Sequence, residues 1–149
     1  MFGSKILCGC KMKIKLENLS LKECRHGIMV WPNNDRTIGA ALAHYGEFAE
    51  GENRMMARYL ENGCVAIDVG TNVGTTALPM SRAVGASGKV LAFEPQPLIA
   101  NCFSAALVLN EISNTRLLTT AVSQKAGFAR MDFNAGTENG NFGATALSK

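Results

Sequence analysis

Two acidic residues, each closing an apolar run, are the groups in this chain best placed to do chemistry. Asp68 ends Val65-Ala-Ile-Asp68 and leads into Gly70-Thr71-Asn72-Val-Gly74; Glu94 ends Leu91-Ala-Phe-Glu94 and is followed by Pro95. A strand running into an acid and a glycine-spaced turn, with the next strand ending on a second acid, is how a doubly wound α/β sheet holds an adenosine-containing cofactor. Gly70 and Gly74 let the backbone turn sharply and approach a ligand with no side chain between. Asn72 tolerates the left-handed conformation better than most residues. The N–H groups of such a turn and of the helix after it can bond an anion. Asp68 can accept loop N–H bonds or face a ligand's positively charged amino group. Glu94 lies where a carboxylate takes both hydroxyls of a ribose, each bond contributing about 1.5–3 kcal/mol when partly buried.

Competing chemistries are weaker. A dinucleotide turn reads G-x-G-x-x-G, and its second and third glycine positions are Asn72 and Thr75 here. An acid ahead of the turn also repels a pyrophosphate, so NAD is disfavoured. A ligand-free strand-to-helix turn explains the glycines but not the second acid. Cys8, Cys10, Cys24 and His26 lack the C-x₂-C knuckle of a zinc site, and no metal is expected. His26 and His44 read as ordinary packed or surface histidines, and no catalytic residue emerges.

The elements that must position these acids follow from hydropathy patterning. Cys64–Val69 is a nearly continuous apolar strand, as expected when helices cover both sheet faces. A helix from about Val73 to Val84 should follow, kinked or shortened by Pro79. Lys89–Phe93 is the second strand. Pro95 and Pro97 open the next helix, with Leu98, Cys102, Ala105, Ala106 and Leu109 on its apolar face and Asn110 closing it. Thr115–Val122 reads as a third strand and Gly127–Phe133 as a fourth. Their short link makes them antiparallel neighbours. The tail from Asn134 to Lys149 has no helical pattern.

Upstream, residues 1–25 form a weakly patterned basic lead-in in which Lys11–Leu16 alternates as a half-exposed strand would. Residues 26–63 carry a strand and helices. Gly27–Trp31 is the strand, stopped by Pro32. Asn34 or Asp35 caps a helix with Ile38, Ala41, Leu42 and Tyr45 inward, ended by Gly46. A second helix, about Glu50 to Glu61, buries Met55, Met56, Tyr59 and Leu60 before Asn62-Gly63. Residues 64–149 make up the cofactor-binding core.

At 149 residues the chain suits one domain with a real core. Apolar residues at 47% and charged residues at 18% argue against disorder. The net charge of +3 is modest and carries no aromatic interleaving, so no nucleic-acid partner is expected. No apolar run reaches a membrane span or a signal-peptide core, which makes a cytoplasmic protein the expectation. Five cysteines, an odd number, fit reduced thiols better than a disulfide framework.

Together, Asp68-Val-Gly-Thr-Asn-Val-Gly74 and Val90-Leu-Ala-Phe-Glu-Pro95 resemble the first two cofactor motifs of class I S-adenosylmethionine-dependent methyltransferases. Within that superfamily the chain resembles the FkbM family. The match includes Arg25-His-Gly-Ile-Met-Val, Asp35-Arg-Thr-Ile-Gly with Tyr45-Gly-Glu47, Asn110, Leu118-Thr-Thr-Ala-Val-Ser123 and Gly140-Asn-Phe-Gly143, covering about residues 25–148. The resemblance implies a Rossmann-like methyltransferase sheet and S-adenosylmethionine as cofactor. It implies methyl transfer to a small-molecule acceptor, commonly an oxygen of a sugar or natural product. Cofactor roles carry over to Asp68, Gly70, Asn72, Gly74 and Glu94, with Thr71 and Pro95 shaping the loops. The chain ends before the family's Asp-x-Glu-Gly-like strand, so the sheet is expected to be the incomplete N-terminal half of a doubly wound one. Such a half-sheet is expected to be marginally stable, to expose a central edge and to self-associate. The rival reading is a fragment that binds cofactor or a partner without catalysis.

Overall fold

The computed structural model describes residues 17–128, 130–131, 140–144 and 147–148. The predicted Lys11–Leu16 strand lies outside them. Three parallel strands form the central sheet: β3 (Val65–Val69), β4 (Lys89–Phe93) and β5 (Thr115–Leu118), in the order β3-β4-β5. Val65 aligns with Lys89 and Val69 with Phe93; Leu91 aligns with Arg116 and Phe93 with Leu118. Between them run α3 (Ala77–Ala83) and α4 (Pro97–Leu109). Both helices lie on the face that carries Ala66, Val90 and Ala92, as successive right-handed crossovers in one direction require. The architecture is α/β, a three-stranded parallel sheet in a partial Rossmann-like arrangement.

A β-hairpin, β1 (Leu19–Cys24) with β2 (Gly27–Pro32), packs on this layer, followed by α1 (Ile38–Tyr45) and α2 (Glu50–Met56). In β2, Met29, Val30 and Trp31 are all buried, and the strand packs against α4. Asn110, just past α4, ties the two together like a strand neighbour. Its Oδ1 accepts the Ile28 N–H at 2.9 Å and its Nδ2 donates to the Ile28 carbonyl at 2.7 Å. Core packing centres on Phe103, Met29, Leu42, Leu78, Ile99, Val73, Val84 and Val90.

Several sequence expectations need correction. The helix expected from Val73 begins at Ala77, because Pro79 has no N–H to donate and is tolerated only in a first turn. Residues 73–76 instead form turns. The second helix stops at Met56, leaving Tyr59 exposed and Leu60 half-buried against the core. Tyr45 and Met55 face solvent at 74% and 55% exposure, so the helical periodicity overstated both apolar faces. The third strand ends at Leu118, not Val122. Of the predicted fourth strand, Arg130–Met131 (β6) pairs antiparallel with Leu147–Ser148 (β7), not with β5. A short 3₁₀ turn, Phe142–Ala144, lies between β6 and β7 in the chain.

The largest departure concerns sheet coverage. Val65, Ile67 and Val69 are exposed at 64%, 61% and 59%. Among the described residues, helices therefore cover only one face of β3, and the continuous apolar strand does not mean two covered faces.

Candidate functional site

The site residues converge where β3 and β4 end. Beyond Asp68 the chain turns through Gly70 (φ +80°), Asn72 (φ +50°) and Gly74 (φ +92°), three residues in a region that side chains disfavour. Each departure has a local partner. Gly70 and Thr71 both donate to the Phe93 carbonyl, at 2.8 and 3.0 Å, fastening the loop to the end of β4. The Asn72 N–H donates to Glu94 Oε2 at 3.0 Å, and Asn72 Oδ1 accepts the Val73 N–H at 2.8 Å. The Gly74 N–H donates to the Thr71 carbonyl at 2.9 Å.

Every backbone N–H from Gly70 to Gly74 thus has an acceptor within the protein. The N–H groups of the turn itself are therefore not free to cradle an anion. The loop is held to position its neighbours.

The two glycines have different reasons to be glycine. A Cβ on Gly74 would stand 2.2 Å from Phe103 Cδ2, so the fully buried Phe103 ring occupies that space. A Cβ on Gly70 would meet nothing within 4 Å, so the backbone there stays open to an approaching group. Gly74 is required by packing, whereas nothing packs against Gly70, a distinction invisible in the motif.

Glu94 is buried at 3% exposure. Its Oε2 takes the Asn72 N–H, and its Oε1 takes the Gln96 N–H at 2.9 Å. Each oxygen retains acceptor capacity after one such bond. The two N–H donors fix the carboxylate between the glycine loop and the start of α4, with Pro95 and Pro97 stiffening the chain on either side of Gln96. Asp68 is different. Its Oδ2 is buried without a hydrogen-bond partner, as is the nearby Thr71 Oγ1. Burial pushes the Asp68 carboxyl above its ordinary range, and the Thr71 side chain draws it partway back without completing a hydrogen bond. A buried carboxylate oxygen left open beside an open loop suits a cationic or hydrogen-bond-donating ligand group.

Asn53 was not visible as a site-building residue. Its Nδ2 donates to the Thr75 carbonyl at 3.1 Å. That carbonyl would ordinarily receive the N–H four residues on, where Pro79 has none. The α2 side chain therefore completes the turn that leaves the glycine loop. A proline four residues after a loop carbonyl is the sequence signal that a substitute donor is needed. Gln96 Nε2 donates to the Phe142 carbonyl at 2.7 Å, and the Arg36 N–H to the Gly140 carbonyl at 3.0 Å. These bonds bring Gly140–Ala144 beside the Glu94 loop, with Phe142 buried in the core.

The histidines stand in separate structural contacts. His26 Nε2 pairs with Glu50 Oε2 at 2.6 Å, which holds the Glu50 carboxyl below its ordinary range, and Arg25 pairs with Glu47. The His44 ring meets Tyr45 edge-on at 4.5 Å. Among the described residues no group of three His, Cys, Asp or Glu side chains is arranged to hold a metal ion; Cys8 and Cys10 lie outside them. No helix among the described residues is long and apolar enough to cross a membrane.

No protein-family model matches the chain, and comparison with curated proteins finds no match. Among solved structures, it is similar to a SAM-dependent O-methyltransferase from Thermotoga maritima at 18% identity and TM-score 0.48, over 72% of this chain and 50% of that one. A SAM-dependent methyltransferase from Aquifex aeolicus matches at 25% identity and TM-score 0.43, over 46% of this chain and 38% of that one. Fibrillarin from Aeropyrum pernix, with S-adenosyl-L-methionine natively bound, matches at 14% identity and TM-score 0.41, over 70% and 52%. The chain spans about half or less of the length of the structures it matches.

Proposed function

We propose that this chain is the cofactor-binding part of an S-adenosylmethionine-dependent methyltransferase of the FkbM type, acting on a hydroxyl oxygen of a sugar or natural product. One observation carries the reading: two neighbouring parallel strands end on acids with different tasks. Glu94 is locked by two backbone N–H bonds with acceptor capacity to spare, and Asp68 keeps a buried oxygen without a partner. In this reading Glu94 receives the ribose hydroxyls, Asp68 receives the ammonium of the methionyl part, and Gly70 leaves room for the ligand. Thr71 and Asn72 shape the loop, Gly74 seats it on Phe103, and Pro95 directs the chain into α4. The cofactor supplies a sulfonium-activated methyl group; this chain's residues bind and orient it. The self-paired N–H groups of the loop favour this ligand over a dinucleotide, whose pyrophosphate would find no free donors among residues 70–74.

The test is residue-resolved. Amide resonances of the isotope-labelled chain are followed while S-adenosylhomocysteine or NAD is added. The reading expects saturable shifts at Gly70–Gly74 and Gln96 with S-adenosylhomocysteine and none with NAD. Shifts confined to other elements, or equal responses to the two ligands, overturn it.

A further inference from the structure

Gly140–Ala144 lies beside the Glu94 loop as a strap with two anchors. At the first, the Gly140 carbonyl accepts the Arg36 N–H at 3.0 Å, just ahead of α1. At the second, the Phe142 carbonyl accepts Gln96 Nε2 at 2.7 Å, and the Phe142 ring is buried. The strap backbone closes tightly on the first anchor: a Cβ on Gly140 would stand 2.8 Å from the Asn34 carbonyl oxygen. A Cβ on Gly143 would meet only ordinary contacts, at 3.6 Å and beyond. Docking of such a strap is finely balanced. Two hydrogen bonds and one buried ring work against the ordering of five residues, two of them glycines, which lose the most freedom. Asp35, between Asn34 and Arg36, adds to the opposing side, because it is buried with its Oδ2 unpartnered.

Gln96 joins the strap to the acid. Its main-chain N–H donates to Glu94 Oε1 at 2.9 Å, while its side-chain amide holds the Phe142 carbonyl. We propose that docking of the strap and occupancy of Glu94 by a ligand's hydroxyl groups are thermodynamically linked, so that the strap closes on a bound cofactor and loosens when the site is empty. The proposal rests on the cofactor reading above and adds to it a device that regulates the same site. A linkage needs a contact that differs between the two states, and the Gln96 amide supplies it. With the strap docked, the Phe142 carbonyl takes up that donor, and both Glu94 oxygens keep their remaining acceptor capacity for the ligand. With the strap released, the amide loses that acceptor and competes with the ligand's hydroxyls for the Glu94 oxygens two residues away. The coupling is reciprocal: ligand favours docking, and whatever obstructs docking weakens binding in proportion to the fall in the docked fraction.

Amide hydrogen exchange in the isotope-labelled chain, with and without saturating S-adenosylhomocysteine, tests the linkage. The Arg36 N–H reports on the strap, because its acceptor is the Gly140 carbonyl. The Ala41 N–H, bonded to the Thr37 carbonyl at 3.1 Å, reports on α1 itself. Ligand should slow exchange at Arg36 at least about fivefold more than at Ala41. Gly140→Ala obstructs docking at the Asn34 carbonyl and keeps the Phe142 ring. It should erase that extra slowing and raise the dissociation constant about tenfold, as when the docked fraction falls to about a tenth. Gly143→Ala, which meets only ordinary contacts, should leave the constant unchanged. Resonances that shift at Gly70–Gly74 with no differential slowing at Arg36, or a Gly140→Ala constant equal to the wild-type one, overturn the strap and leave the cofactor reading standing. No response to the ligand at any amide overturns both.

Discussion

Replacing either motif glycine by alanine should separate the two jobs that the loop performs. At Gly70 the change adds a methyl in open space at φ +80°, so its cost is conformational, about 1–2 kcal/mol. At Gly74, with φ +92°, the same cost is joined by a Cβ 2.2 Å from the Phe103 ring. Overpacking of a filled core adds about 1–3 kcal/mol, for a total of about 2–5 kcal/mol. The difference should disappear when the ring is shortened. In a Phe103→Leu background, the cost of Gly74→Ala should fall to about 1–2 kcal/mol, as a double-mutant cycle by urea denaturation would read. If Gly74→Ala prevents folding outright, its rescue by Phe103→Leu is the same result. Ligand binding should show the opposite order: Gly70→Ala weakens S-adenosylhomocysteine binding more than it lowers stability. Equal stability costs at the two glycines, or a Gly74→Ala cost indifferent to Phe103, would refute the assignment.

Other outcomes follow from the same geometry. Asn53→Ala leaves the Thr75 carbonyl unpaired and should cost about 1–3 kcal/mol in urea denaturation; Pro79→Ala, by restoring a backbone donor, should reduce that cost by about 1 kcal/mol. Burial raises the folded-state pKa of Asp68, so its contribution to stability is greatest when protonated and falls as pH rises from the ordinary carboxylate value through the folded one. Asp68→Asn should therefore flatten that slope and raise the melting temperature of the ligand-free chain at neutral pH, while weakening cofactor binding; a lowered melting temperature contradicts the burial argument. Glu94→Gln turns an amide N–H₂ toward one of two backbone donors, and should both destabilise the chain and weaken binding of the nucleoside adenosine.

Local chemistry made much of the site legible. The apolar runs around Ile67 and Leu91, the acid ending each, and the Pro97 start of α4 are all short-range signals, and the structure brings the named residues together. The conformation at Asn72 was equally readable from residue type. What the sequence could not show depends on residues distant along the chain. Gly74 answers to Phe103 and Thr75 to Asn53, and the loop N–H groups are consumed by Phe93 and Glu94. Periodicity misjudged Tyr45, Met55 and Tyr59 because it marks which residues share a face but not whether anything covers it. The same limit applies to β3, where an apolar run suggested two covered faces and, among the described residues, one is open. The pairing of β1 with β2 was missed because Leu19–Cys24 alternates too weakly to mark a strand without its partner.

Titration calorimetry of the wild-type chain with S-adenosylmethionine bears most directly on the central claim that Asp68, Glu94 and the loop between them form a cofactor site. The account predicts a saturable one-site heat that Asp68→Asn diminishes. The absence of binding heat up to millimolar ligand, in a sample whose melting shows it folded, would contradict it.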